Sequence, residues 1–516
     1  PRLADNERAL IEVCALLSDS PHIRATPAAE WLLDNFHLIT QEIRNAKRHL
    51  PPGYSRELPR LADGPHAGLP RVYALALHAV SHGDGRLGRG TLVRFIESYQ
   101  SAAPLMLGEL WAFPIMLRLA LIENLRRVAS RVGISRMQRD LAGEWVDRML
   151  DVVERDPKGL ILVVADMARS NPPMTASFVS ELARRLHGRS AALALPLSWV
   201  EQRLGETQQT IEQLVHAEGQ SQATAQVSVS NSIGSLRLLE AMDWRDFVET
   251  LSQVEQILRQ DPAGVHARMD FTSRDHYRHV VEDIAHRSAS SESDVAHQAV
   301  ALARAAASDN PAHQHVGHYL IGAGQAALEL ACHTRQGPWL ALRRRLARWP
   351  VGWYALAILA TTAVLTAIPW LLVTRAHALP FVDVPDGPWR WPAGLAVLLL
   401  LGLSASQLAV ALVNAALGQL ARPTALPRMD FSMGIPTEAR TLVVVPTMLG
   451  SPAGITALVD ALEVRYLANR DAQLLFALLT DFHDAASATS PSDAAHLAQA
   501  SALITALNHK YGTAGL

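Results

Sequence analysis

The sequence predicts a mainly α-helical protein with a two-helix transmembrane hairpin, followed by the start of an α/β domain. Three observations carry this prediction. Apolar residues recur at spacings of three and four over most of the chain, two long charge-free segments come next, and short apolar runs then alternate with amphipathic stretches. The predicted regions are two cytosolic helical regions at 1–130 and 131–345, a membrane hairpin at 346–421 and an α/β domain at 436–516.

Composition excludes several classes of protein. The chain has 516 residues and a formal net charge of -2, so no general electrostatic attraction to nucleic acid is expected. Its two cysteines, Cys14 and Cys332, cannot form a disulfide framework and are predicted to be buried thiols in a reducing compartment. The N-terminus lacks a signal-peptide pattern and does not begin with Met, so the chain is expected to be a piece of a longer protein.

Two segments of the helical region have an unusual composition. The stretch 105–122 is strongly apolar, but Glu109, Pro114 and Arg118 interrupt it, which favours a core helix over a membrane span. Gln and Ser crowd the stretch 205–232, which predicts a surface helix and a loop.

Clusters of histidine and of glycine suggest two other kinds of site, a zinc site and a phosphate loop. Close spacing makes a zinc site conceivable for five histidines, but no cysteine or Glu-x-x-His pattern accompanies them, which favours packing or surface roles. These are His276, His279, His313, His315 and His318. The glycines from Gly85 to Gly90 lack the Lys-Ser/Thr ending of a phosphate loop and predict a turn.

Two charge-free segments predict membrane spans at about 349–373 and 391–417. Each exceeds the roughly 20 residues that cross a bilayer as a helix, and tryptophans near their ends suit the membrane interface. The alternative is a pair of buried core helices. Polar residues of the second span predict a helix-packing face, with contact to a translocating sugar as the other possibility. They are Ser404, Ser406, Gln407 and Asn414.

Basic residues predict the orientation of the hairpin. They flank the outer ends of the two spans and are sparse in the connecting loop, which also carries Asp383 and Asp386. The flanking residues are Arg335, Arg343, Arg344, Arg345, Arg348, Arg422 and Arg428. Both ends of the chain are therefore predicted to be cytoplasmic, and the loop 374–390 periplasmic.

The segment after the membrane spans predicts a βαβ unit. Residues 441–447 form a short β-branched run that is too short to span a membrane and is followed by an amphipathic stretch at 454–470. A second apolar run at 472–481 and a helix around 492–509 complete the pattern. Such units place two parallel strands side by side.

Polar residues fall where these strands are predicted to end. The first run is expected to end at Pro446 and Thr447, and the second at Asp481, with Asp484 close behind. Ligands of parallel α/β sheets bind beyond the carboxyl ends of the strands, so these four residues are the candidate site. The alternative is that Asp481 only caps the next turn or helix.

Several long strings resemble one family, the cyclic β-1,2-glucan synthases, which are large inner-membrane proteins of Gram-negative bacteria. The longest is "PRMDFSMGIPTEARTLVVVPTMLGSPAGITALVDALEVRYLANRDAQLLFALLTDFHDA", which resembles the start of the family's glycosyltransferase domain. Others are "TPAAEWLLDNFHLI", "LPPGYSRELPRLADG", "GELWAFPIMLRLALIENLRR" and "DPAGVHARMDFTSRDHYRHVVEDIA". The likeness therefore extends over most of the chain.

The resemblance implies a GT-A-like, Rossmann-type glycosyltransferase domain that transfers glucose from UDP-glucose to a growing β-1,2-glucan. It implies that Pro446 and Thr447 border the nucleotide, that Asp481 accepts a hydrogen bond from uracil or ribose, and that Asp484 lies nearby. A divalent metal, Mg or Mn, and the catalytic base are expected beyond residue 516. This fragment alone is therefore expected to bind no metal and to be inactive.

The implied partners are UDP-glucose, the growing glucan, the lipid bilayer and C-terminal domains of the same polypeptide, without nucleic acid. The implied location is the bacterial inner membrane. Two other functions remain open, namely a membrane-anchored helical scaffold and a glucan-translocation component without catalysis of its own.

Overall fold

A computed structural model describes residues 2–18, 26–49, 58–306, 310–335, 337, 349–375, 390–420, 426–484, 487 and 490–512. The chain forms two compact units, Pro1–Ile257 and Leu258–Leu516. Most of the predicted periplasmic loop and several of the flanking arginines lie outside the described residues.

The described residues of the first unit form helices joined by turns and loops. Its helices are α1 (Arg2–Ser18), α2 (Pro27–Asp34), α3 (Phe36–His49), α4 (Arg71–His82), α5 (Arg89–Gln100), α6 (Leu107–Arg155), α7 (Leu160–Ser170), α8 (Ala176–Leu186), α9 (Ala194–Gly205), α10 (Ile211–Ala241) and α11 (Trp244–Leu251). A further helix, α12 (Gln253–Leu258), reaches the boundary of the unit. Short 3-10 turns precede α7 and α9.

Helix α6 is the centre of the first unit. Its 49 residues continue through Pro114, and its N-terminal half lies in the main apolar core. Two charged residues of this half, Glu109 and Arg118, have ion-pair partners. Arg71 donates two hydrogen bonds to the fully buried Glu109, at 2.9 and 2.5 Å, and Arg118 donates one to the equally buried Glu42 at 2.7 Å. The predicted core helix at 105–122 is confirmed.

The Ser- and Gln-rich stretch 205–232 forms a short turn and loop followed by most of helix α10, and the majority of its helical residues are exposed or half-exposed, so the predicted surface helix and loop are confirmed. The inner side of α10 was not predicted, since Ser228, Ser232 and Ser235 are buried. Ser235 donates a hydrogen bond to the carbonyl of Gly85 at 2.6 Å. Gly85 has φ +79, and a Cβ there would collide with the Ser232 hydroxyl, so the predicted glycine turn packs tightly on α10.

The second unit begins with a helical layer and continues through two apolar helices into an α/β segment. Its helices and strands are α13 (Phe271–His286), α14 (Glu292–Ala305), α15 (Val316–Leu320), α16 (Gln325–Ala331), α17 (Pro350–Arg375), α18 (Arg390–Leu420), β1 (Thr441–Leu449), α19 (Pro452–Ala468), β2 (Leu474–Phe482) and α20 (Asp493–Tyr511).

A buried carboxylate organises the helical layer of the second unit. Asp261 accepts hydrogen bonds from the N–H groups of His266 and Val316, at 3.1 and 3.0 Å, and from Nδ1 of His315 at 2.8 Å. With Nδ1 donating, Nε2 of His315 accepts from the hydroxyl of Tyr277 at 3.2 Å. His315 is thus a packing histidine.

Helices α17 and α18 pack against each other as an antiparallel pair. Tyr354, near the start of α17, donates a hydrogen bond to Asn414, near the end of α18, at 2.9 Å. Segments Pro350–Leu372 and Gly394–Gln419 are long and apolar enough to cross a membrane, and only 6% of each is buried within the protein. So little burial is unlike a core helix. Ser404 and Gln407 are exposed and do not face α17 as Ala409 and Val413 do.

The predicted βαβ pattern is confirmed. Strands β1 and β2 pair in parallel, joined by α19. Residues Leu449, Ile455 and Ala500 form a small apolar core where the sheet meets α19 and α20. A GT-A fold would need further strands, and the structure describes two strands in this sheet.

Candidate functional site

The carboxyl ends of β1 and β2 lie next to each other at one edge of the sheet. The register runs from Thr441 opposite Leu474 to Leu449 opposite Phe482. Ligands of parallel α/β sheets bind beyond such ends. The segments after Leu449 and Phe482 therefore form the candidate site, hereafter the carboxyl edge.

Strand β1 continues past Pro446, so the prediction that this proline ends the strand is wrong. Pro446 pairs with Leu479, and the strand ends three residues later, at Leu449. Successive N–H groups of a strand point to opposite sides, so an edge strand accepts a proline wherever its nitrogen is not used for pairing. Among the described residues, β1 has a neighbouring strand on one side only.

The predicted site residues of the strands are divided between the two faces of the sheet. Thr447 pairs with Thr480, on the face that α19 and α20 cover. Asp481 pairs with Met448, and both are exposed on the opposite face, which Pro446 shares by alternation. The structure thus brings Pro446 and Asp481 to one face and places Thr447 on the other.

The two predicted carboxylates are accessible to solvent. Asp481 Oδ1 accepts a hydrogen bond from the N–H of Phe482 at 2.8 Å, so this side chain braces the end of its own strand. It does not cap α20, whose N-cap residue is Ser492. Asp484 lies two residues beyond the end of β2 and is exposed as well. Both carboxylates can therefore reach a ligand at the carboxyl edge.

At the carboxyl edge His483 lies directly against Gly450, a contact that was not predicted from the sequence. Gly450 follows β1 directly, and a Cβ at this position would collide with Nε2 of His483. The imidazole therefore packs against a backbone that has no side chain. Two features of the sequence could have indicated this contact: a glycine follows the first apolar run, and His483 stands between Asp481 and Asp484.

Helix α19 begins at the same edge. Its N-cap residue Ser451 accepts a hydrogen bond from the N–H of Gly454 at 3.2 Å, and Pro452 occupies the first turn. The first turn of a helix presents N–H groups and the positive end of the helix dipole, which favour negatively charged groups. The carboxyl edge thus combines accessible carboxylates, an imidazole and a helix N-terminus.

Comparison with known proteins identifies one relative along the whole chain. No protein-family model matches the sequence. The chain is 34% identical over 524 aligned residues, 100% of its length, to the cyclic beta-(1,2)-glucan synthase NdvB of Rhizobium meliloti (strain 1021). The chain is similar to part of a cyclic glucan synthase. This confirms the resemblance predicted from the sequence and supports its interpretation as an N-terminal portion of a synthase of this kind.

The match covers part of the relative's length. The chain spans 18% of the length of the Rhizobium meliloti synthase. Among the described residues, no group of three or more His, Cys, Asp or Glu side chains is arranged to hold a metal ion.

The segment that joins α18 to β1 in this synthase-like chain is attached at two points. Its Met429 forms an antiparallel bridge with Met269, in which Asp270 N–H donates to the Arg428 carbonyl at 2.9 Å. The Arg428 N–H also donates to Ser273 Oγ, at 2.9 Å.

The second attachment lies closer to the sheet. The N–H of Ile435 donates to Asp471 Oδ2 at 2.8 Å, just before β2. Hydrogen bonds from the N–H groups of Gln473 and Ile435 lower the pKa of Asp471. The joining segment thus connects the helical layer to the base of the sheet, at the end opposite to the carboxyl edge.

Proposed function

We propose that this chain is part of a bacterial inner-membrane glycosyltransferase that polymerises glucose from UDP-glucose into β-1,2-glucan. The main support is the 34% identity over the full chain to a cyclic beta-(1,2)-glucan synthase. The parallel β1–α19–β2 unit, followed by exposed carboxylates, supports this proposal, because ligands of parallel α/β sheets bind beyond the carboxyl ends of the strands.

The carboxyl edge is the proposed nucleotide-sugar site. A carboxylate suits the nucleoside because it accepts hydrogen bonds from the imide N–H of uracil or from ribose hydroxyls. Asp481 is the first candidate for this contact because it is exposed at the end of β2, and Asp484 is the second. Pro446 would border the nucleoside on the same face, and Thr447 would support the edge from the other face.

The diphosphate of UDP-glucose is proposed to bind at a different point of the carboxyl edge, next to the N-terminus of α19. The N-terminus of α19 offers the positive end of the helix dipole, which favours an anion, and His483 lies against Gly450 beside it. The complete transferase is expected to use Mg or Mn and a catalytic base from C-terminal domains of the same polypeptide.

The two apolar helices are the proposed membrane anchor. With the hairpin crossing the bilayer, both of its outer ends would be cytoplasmic and the loop 374–390 periplasmic. That orientation places the carboxyl edge in the compartment that contains nucleotide sugars.

The decisive experiment is a binding measurement on the full-length protein in detergent. Asp481→Ala should weaken UDP-glucose binding by about tenfold or more, since it removes a charged hydrogen-bond acceptor. Asp460→Ala is the matched control, because Asp460 is an equally exposed carboxylate on α19. Equal affinities for the wild type and Asp481→Ala would remove Asp481 from the site. No binding of UDP-glucose by the wild type would favour the scaffold function.

A further inference from the structure

A cavity of about 280 Å³ lies in the first unit, far along the sequence from the carboxyl edge. Its wall is formed by the outer face of α4, the middle of α6 and a histidine from the preceding loop. The lining residues are His66, Leu77, His78, Val80, Ser81, Ala120, Glu123, Asn124, Arg126 and Arg127. This volume is close to the lower end of the ~300–1,000 Å³ range of small-molecule pockets.

Arg126 is the unusual member of this wall. Its Nε atom is buried and has no hydrogen-bond partner, and no described carboxylate forms an ion pair with its guanidinium. Other partly buried arginines of the unit behave differently, since Arg71 and Arg118 are paired with Glu109 and Glu42. The Arg126 side chain is half-buried, and a guanidinium that lacks a counter-charge at such a place favours an anionic ligand that supplies one.

The neighbours of Arg126 are committed to other partners. Glu123 accepts a hydrogen bond from the hydroxyl of Tyr73 at 2.6 Å. The amide nitrogen of Asn124 donates to Ser228 and Ser232, at 3.2 and 3.0 Å. Arg127 is exposed and donates one hydrogen bond to the amide oxygen of Asn124, at 2.7 Å.

Two imidazole rings belong to the lining of the cavity. His66 and His78 meet edge to face with ring centroids 6.0 Å apart, and His78 stacks on His82 at 6.1 Å. Ser81, one turn along α4, adds a hydroxyl. Donors therefore outnumber acceptors around the cavity, and its two arginines outnumber its single carboxylate.

We propose that this cavity, hereafter the Arg126 cavity, binds the phosphate group of a small molecule, with Arg126 as its main ligand. The planar guanidinium matches the oxygens of phosphate better than any other side chain does. The volume exceeds that of one phosphate group, so an attached organic group fits beside Leu77 and Val80. The proposal is independent of the proposed transferase function.

The test measures binding of inorganic phosphate to the full chain in detergent by titration calorimetry, in a phosphate-free buffer of constant ionic strength. Arg126→Gln should weaken binding roughly tenfold or more, because a charge-assisted contact is lost. Arg94→Gln removes the same charge from an exposed position on α5 and should bind like the wild type. Arg126→Lys keeps the charge but loses the planar fork and should lie between them.

Three results would overturn the proposal. They are absence of phosphate binding by the wild type, wild-type affinity in Arg126→Gln, and equal losses in Arg126→Gln and Arg94→Gln. Should Arg126→Gln fail to fold, thermal unfolding of the wild type decides instead. Phosphate must then raise the midpoint temperature more than chloride does at equal ionic strength, and equal shifts would reject the site.

Discussion

The imidazole of His483 occupies the space that a side chain at position 450 would need, because its Nε2 lies where a Cβ on Gly450 would project. Gly450→Ala must therefore displace the ring. We expect a several-fold loss of UDP-glucose affinity with a stability change below about 1 kcal/mol, because only an exposed ring has to move. Titration calorimetry and thermal unfolding measure the two effects.

Gly219→Ala is the control for this substitution, since a Cβ at Gly219 in α10 meets nothing within 4 Å. Its affinity should equal that of the wild type. Unchanged affinity in Gly450→Ala would separate His483 from the nucleotide site.

The buried pair of Arg71 and Glu109 should be essential for the first unit. Glu109→Gln leaves a partly buried guanidinium without its counter-charge, and we expect a loss of about 3–5 kcal/mol in the free energy of unfolding. Asp166→Asn breaks the exposed pair of Asp166 with Arg169 and should cost less than about 1 kcal/mol. Denaturant unfolding of the two variants compares the costs, and equal losses would contradict the assigned importance of burial.

Low pH should reduce the stability that Asp261 contributes through the hydrogen bonds it accepts. Burial alone raises the pKa of Asp261, but hydrogen bonds from His315 and from the N–H groups of Val316 and His266 outweigh it, so the pKa is lowered. A lowered folded-state pKa contributes stability above the unfolded-state value of about 3.9, and this contribution is lost as the pH falls through the folded-state pKa.

The substitution Asp261→Asn tests this pH dependence. The variant should be less stable than the wild type at pH 7, and the difference should shrink as the pH falls below about 4. Thermal unfolding between neutral and acid pH measures it. A difference that stays constant over this interval would show that the charge of Asp261 contributes nothing.

The hydrogen bond between Tyr354 and Asn414 should hold the hairpin together only weakly. A double-mutant cycle of Tyr354→Phe and Asn414→Ala should give a coupling energy of about 0.5–2 kcal/mol, as for hydrogen bonds between membrane helices. Thermal unfolding in detergent of the wild type, both single variants and the double variant provides the cycle. Strictly additive effects would mean that the two side chains do not interact in the folded protein.

The periodicity of apolar residues predicted the existence and order of the strands and helices in the α/β segment more accurately than the residues at which they end. The alternation of β-branched and amphipathic stretches placed β1, α19, β2 and α20 within a few residues of the observed bounds. The error at Pro446 arose because a missing N–H breaks a strand only where that N–H would be used for pairing. The sequence does not reveal which side each N–H faces.

The amino-acid composition did not predict which polar side chains are buried. Ser228, Ser232 and Ser235 predict exposure by residue type, yet they are buried because the side-chain amide of Asn124 in α6 and the backbone carbonyl of Gly85 supply their hydrogen-bond partners. Pairings of this kind join residues more than a hundred positions apart. The Arg126 cavity has the same origin and was equally invisible in the sequence.

The joining segment between α18 and β1 has a mechanical consequence. Ile435 is bonded to Asp471 at the base of β2, and Arg428 is bonded to Asp270 and Ser273 in the helical layer. A shift of β2 must therefore stretch this short tether or carry the start of α13 along with it. A displacement at the sheet is thereby transmitted directly to the helical layer, without passing through α17 and α18.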